Sequence, residues 1–120
     1  MKIVSREEFL AIKGEVVFGI VEEHGQDIGL NTLYIKAGNV GPNDYCYDTL
    51  DAGALEVGAS VNAEYWDQIE KLKKGEEVPL DFSCASRAAL DIRDNQKYAI
   101  LDTADVTRLR DRLNQVLNAS

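Results

Sequence analysis

The sequence predicts an α+β domain built on an antiparallel sheet of about five strands, with helices packed on it in the order α-β-β-β-α-β-β-α. Three features predict it. Apolar residues recur at helical spacing in separate stretches, β-forming runs lie between them, and glycine-rich turn signals divide the runs. The best-formed stretch is Lys97 to Asn118, KYAILDTADVTRLRDRLNQVLN: a short buried strand, a cap and an amphipathic helix. Val106, Leu109, Leu113, Val116 and Leu117 fall on one helical stripe, while Arg108, Asp111, Arg112 and Gln115 turn toward water. A side-chain oxygen of Asp102 or Thr103 is placed to accept an orphan N–H of the first turn. Such a helix needs a sheet to lie on, and its preferred place is across one face of a central meander.

Taken in order, Ser5-Arg6-Glu7-Glu8 is a capping box that opens a helix from Arg6 to Ile12. Val4 and Phe9 occupy the positions of a hydrophobic staple, and Gly14 is a stop signal. Glu15 to Glu23, EVVFGIVEE, reads as a mostly buried strand. Leu30 to Ala37 alternates Leu33 and Ile35 against Tyr34 and Lys36, as a second strand half exposed to solvent would. These two pair as a hairpin with a loop of about six residues. Turn residues from Gly38 to Asp44 precede a short third strand, Tyr45-Cys46-Tyr47, with both tyrosines on one face and Cys46 on the other.

Asp51 to Ala59 reads as irregular. A second helix follows, with Val61, Tyr65, Trp66, Ile69 and Leu72 on its apolar side, Asp67–Lys71 and Glu70–Lys74 as i, i+4 pairs, and Gly75 as its end. Val78 to Ser83 is the fourth strand, placed at an edge or a strand start because Pro79 has no N–H to donate. Ala85 to Asn95 is a loop or a single helical turn.

A chain of 120 residues is the size of one domain, 1–120, and buries a core without metal or disulfide staples. No apolar run approaches the roughly 20 residues of a membrane helix, so the expected location is the cytoplasm, with no membrane partner. Cys46 and Cys84 are then expected as reduced thiols. The net charge of −8 is uneven: between Gly14 and Ser60 eight acids face one base, Lys36. Phosphate repulsion argues against direct nucleic-acid binding through that half.

No catalytic set emerges. His24, the only histidine, lies near Glu22, Glu23 and Asp27, but a turn collects solvated polar residues without any catalytic role. One histidine and two distant cysteines do not make a zinc set. Asp44, Asp48 and Asp51 lack the glycine and closing glutamate of a calcium loop. Cys84-Ala85-Ser86-Arg87 admits a nucleophile beside an arginine, although its spacing is not that of the thiol phosphatases and a structural cysteine is the simpler reading. Neither a metal nor a cofactor is expected.

Two features suit protein binding instead: the acidic first half, and the aromatics Tyr34, Tyr45, Tyr47, Tyr65 and Trp66. The segments SREEFLAIKG, PLDFSCASR and DVTRLRDRLNQVL resemble those of small bacteriophage and prophage proteins with a capped SREEFL-type opening, a Pro-x-Asp-Phe-x-Cys segment and a final Val-x-x-Leu helix. The resemblance covers roughly a quarter to a third of the chain and implies a phage origin, hence the host cytoplasm. It brings no active site.

The expected function is a non-enzymatic acidic domain that binds a basic protein surface, in its sharper form an inhibitor of a host defence or nucleic-acid-binding protein. Its contact residues are Glu22, Glu23, Asp27, Tyr34, Asp44, Tyr45, Tyr47, Asp48 and Asp51. The alternatives are a small enzyme or ligand-binding domain using Cys84–Arg87, and a phage structural component, for which a symmetric homo-oligomer is the sign.

Overall fold

A computed structural model describes residues 1–50, 61–82, 86–87 and 95–119, the side chains of 61–64 and 86–87 excepted. The chain opens with β1 (Lys2–Ser5), a strand too short for alternation to announce. The capping box follows as predicted. Ser5 Oγ accepts the Glu8 N–H at 3.1 Å and Glu8 Oε1 accepts the Ser5 N–H at 3.3 Å, starting α1 (Arg6–Ala11). Ser5→Ala is expected to cost about 1 kcal/mol, read as a lower urea midpoint. An unchanged midpoint would show that the box is idle.

Next come β2 (Val16–His24), β3 (Asp27–Val40) and β4 (Asp44–Thr49), then α2 (Val61–Lys73), β5 (Ser86–Arg87), β6 (Lys97–Ile100) and α3 (Thr103–Ala119). The sheet order is β1-β6-β2-β3-β4-β5, with every neighbouring pair antiparallel. β5 has only two residues, so five strands carry the sheet and the α+β class holds. The predicted fourth strand is not one: Val78 to Phe82 contribute a single bridge, at Leu80, beside Pro79, which cannot feed a ladder. Ser83, Asp51–Ala59 and most of Ala85–Asn95 lie outside the described residues.

The β2–β3 hairpin is tighter than predicted. His24 pairs directly with Asp27, leaving a two-residue turn, Gly25-Gln26. Alternation in β3 breaks where the register shifts opposite Phe18 and Ile20; there Thr32 has φ +36°. Gly19 lies against this bulge, and a Cβ on it would stand 3.1 Å from the Asn31 carbonyl oxygen. That close approach needs glycine.

The core lies between α1 and one sheet face, called here the first face. Phe9, Phe18, Tyr45, Tyr98, Ile100 and Val4 are all buried there. The Phe9 ring stacks on Tyr98 at 4.0 Å and meets Phe18 and Tyr45 edge-on at 4.8 and 4.9 Å. Two cations belong to this core. Arg6 donates to Tyr98 Oη at 2.9 Å and to the Asn43 carbonyl at 2.8 Å, tying α1 to the β3–β4 turn. Lys36, 0% exposed, donates from Nζ to the carbonyls of Phe9 at 2.9 Å and Ile12 at 2.6 Å.

The alternation in β3 holds through this part of the strand. Tyr34 and Lys36 face the core and Leu33 and Ile35 the opposite side, because the ammonium finds its acceptors at the open carboxyl end of α1.

α2 ends in a Schellman motif, as Gly75 predicted: at φ +83° its N–H reaches the Leu72 carbonyl at 3.0 Å, and Glu76 N–H reaches that of Lys71 at 3.0 Å. Glu70 pairs with Lys73 at 3.1 Å, one residue short of the predicted Lys74. For α3 the cap is Asp102, whose Oδ1 accepts the Asp105 N–H at 2.8 Å while Asp105 Oδ2 accepts the Asp102 N–H at 3.2 Å.

The placement of α3 departs from the expectation. It buries no residue, and every side chain from Arg110 to Ala119 is exposed. Leu101 N–H bonds the Val17 carbonyl at 2.9 Å, so the helix starts at the second sheet face and then leaves it instead of lying across it. The Cα radius of gyration, 16.1 Å, accordingly exceeds the value of about 13.6 Å for a close-packed chain of this length.

Candidate protein-interaction surface

Nothing in the described chain gathers a catalytic set, so the surface is built from what the fold leaves in water. Glu22, Glu23 and Asp27 are exposed around the Gly25-Gln26 turn. Glu22 accepts a hydrogen bond from Asn31 Nδ2 at 2.8 Å and stands 3.5 Å from His24 Nε2; Glu23 is 4.0 Å from Lys97 Nζ. These pairs are exposed and contribute little to stability, so the acids hold the fold only weakly. His24 stands in water beside Glu22, without the burial that orients and tunes a general base.

The other predicted contact residues do not join this cluster. Tyr45 is 3% exposed and fills the core. Tyr34 and Tyr47 pack on the border of that core, with Tyr34 against Phe18 at 5.3 Å and against Tyr47 at 5.3 Å. Asp44 is half-buried and accepts the Tyr45 N–H at 2.8 Å. Asp51 lies outside the described residues. Of the aromatics named as candidates, Trp66 is the one that projects, at 64% exposure, edge-on to Tyr65 at 5.5 Å. Burial was invisible in the sequence because tyrosine serves core and surface alike.

Asp48 belongs to the second face, where it pairs across the strands with Ile35. Burial, with Glu15 and Asp81 nearby, raises its carboxyl above the usual 3.8, and its Oδ1 has no hydrogen-bond partner. The folded state thus holds this proton more tightly than the unfolded chain, and stability is lost as pH rises from 3.8 through the raised value. Asp48→Asn is expected to raise the melting temperature of the dilute chain at neutral pH, with no gain at acid pH. Equal melting points at neutral pH would contradict that.

The rest of the second face is apolar and incompletely covered. Ile3, Ile28 and Leu30 are exposed on it, beside Val17, Val21, Leu33, Ala99 and Leu101. A groove of about 360 Å³ runs between Leu30, Leu33, Ala99, Leu101 and Asp105; another of about 510 Å³ lies among Glu15, Val17, Ile35, Leu101 and Val106. Both open beside the start of α3, whose own stripe is exposed, reaching 56% at Leu113 and 71% at Leu117. The sequence shows the stripe, but not that it stays exposed beside the described residues.

Among the described residues, no group of three or more His, Cys, Asp or Glu is placed to hold a metal ion, and no helix is long and apolar enough to cross a membrane. Cys46 is a half-buried free thiol facing Arg87 across the β4–β5 pair, while Cys84 lies outside the described residues. In comparisons with known proteins the chain matches no family model, no curated protein and no solved structure.

Proposed function

We propose that this chain is a non-enzymatic protein-binding module that meets a basic partner surface with the tip of its β2–β3 hairpin. The observation that carries this reading is the exposure of Glu22, Glu23 and Asp27 at the closed end of the β2–β3 hairpin, Glu22 and Asp27 toward one face and Glu23 toward the other. Carboxylates left in water on a tight hairpin give a partner a defined, negatively charged edge, which steers encounter and selects against acidic surfaces. The reading drops Tyr45 from the contact set, since its ring is committed to the core, and drops Asp44 and Asp48, which the sheet holds away from the tip. In its sharper form the partner is a nucleic-acid-binding or host-defence protein whose basic groove the acidic edge covers, and the chain is of phage or prophage type.

The test is capture of partners by the immobilised protein at low and high salt, beside a Glu22→Lys/Glu23→Lys/Asp27→Lys variant. A basic partner retained at low salt, released at high salt and lost in the variant is expected. A partner held equally by the variant would overturn the hairpin as the contact.

A further inference from the structure

His24 stands within the acidic end of the β2–β3 hairpin, beside a carboxylate that a chain of polar contacts holds in place. Thr32 Oγ1 donates to Asn31 Oδ1 at 3.1 Å, and Asn31 Nδ2 donates in turn to Glu22 Oε1 at 2.8 Å. The second oxygen of that carboxylate, Oε2, is left 3.5 Å from His24 Nε2. The imidazole lies over Gly29, where a Cβ would stand 3.2 Å from Nε2 and 3.3 Å from Cδ2. Gly29 is not at a positive φ, so its backbone conformation does not call for glycine, whereas room for the ring does.

Strand alternation divides the charges at this end between the two sheet faces. Glu22, His24 and Asp27 share the first face, and Asp27 lies directly across from His24. Glu23 turns to the second face, where Lys97 Nζ of β6 is 4.0 Å away and offsets it. Asn95 and Gln96, which line the recess beside the imidazole, are uncharged. Among the described residues, the first face of the tip thus presents two carboxylates and one base. With the imidazole neutral that side carries two negative charges, and with it protonated only one. Imidazole is the side-chain type whose charge changes between about pH 5 and 8.

We propose that His24 is a proton-operated regulator of the hairpin's hold on a basic partner: the imidazolium pairs with Glu22 and halves the negative charge that this side of the tip presents. Acidification thus weakens the contact proposed above, on which this regulation rests.

An N-acetylated decalysine peptide tests it as a stand-in for the basic surface, because lysine ammonium groups stay charged throughout this range. Its affinity is measured by calorimetry at about pH 8 and about pH 5.5 for three forms of the whole chain. These are wild type, His24→Gln, which is uncharged there at both values, and His24→Lys, which is charged at both. Wild type is expected to lose about three- to fivefold more affinity on acidification than His24→Gln, the worth of one exposed charge pair. At the higher pH, His24→Lys is expected to bind about three- to fivefold more weakly than wild type. The side chain is 64% exposed, so all three forms are expected to give the same circular dichroism. The Glu22→Lys/Glu23→Lys/Asp27→Lys variant is titrated beside them and is expected to lose the peptide. If it does, an equal response of wild type and His24→Gln to pH overturns the regulation and leaves the hairpin reading standing. Peptide held equally by the triple variant overturns both.

Discussion

Phe9→Ala is expected to destabilise the protein by about 3–5 kcal/mol, a large part of the 5–15 kcal/mol that holds a typical domain. Phe9 is the side chain by which α1 grips the sheet. A six-residue helix does not persist alone in water, and its ring touches Tyr98, Phe18 and Tyr45 simultaneously. Truncation leaves a cavity between rings that are themselves fixed by strands and cannot collapse into it. A urea titration followed by far-UV circular dichroism measures the loss. A shift below about 1 kcal/mol would mean that α1 is held by something other than this ring.

Lys36→Ala is expected to cost about 2–4 kcal/mol, and Lys36→Met about half of that. Both remove the donor that the Phe9 and Ile12 carbonyls use; methionine keeps the apolar stem against the Phe9 ring, which the ammonium overlies at 4.9 Å. The buried charge also carries a desolvation cost, and burial lowers the Lys36 pKa below its ordinary 10.5. The folded state therefore holds this proton less tightly than the unfolded chain. Its contribution to stability is fully present above 10.5 and is lost as pH falls through the lowered value. Wild type should gain on Lys36→Met as pH is raised toward 10.5, a comparison in which the other lysines and tyrosines cancel. A difference that stays flat with pH would show that the ammonium is not desolvated in the folded state.

Local signals were legible in the sequence and long-range ones were not. The Ser5 box, the Gly75 terminus and the Asp102 cap depend on residues within five positions of one another, and all three form. A run of β-formers marks β2, and alternation marks β4 and sets Tyr45 and Tyr47 opposite Cys46. Period alone does not say which side of a strand is inside. In β3 the core side is set by Lys36, and the carbonyls that draw it inward come from residues 24 and 27 positions away. Arg6 was hidden for the same reason: its partner Tyr98 is 92 residues distant.

The acidic half of the chain was visible as composition. Its division into a hairpin tip and a second-face corner at Asp48 depends on strand pairing, which composition does not carry. The stripe on α3 was legible residue by residue, and only the fold reveals that its own sheet leaves it uncovered.

Binding through the acidic hairpin is tested most directly by calorimetric titration of the captured basic partner with wild type and with the Glu22→Lys/Glu23→Lys/Asp27→Lys variant, after matched melting curves establish that both are folded. The hairpin reading predicts an affinity lower by about a hundredfold or more in the variant, with most of the wild-type advantage removed by salt. Equal affinities and equal salt dependence would contradict it.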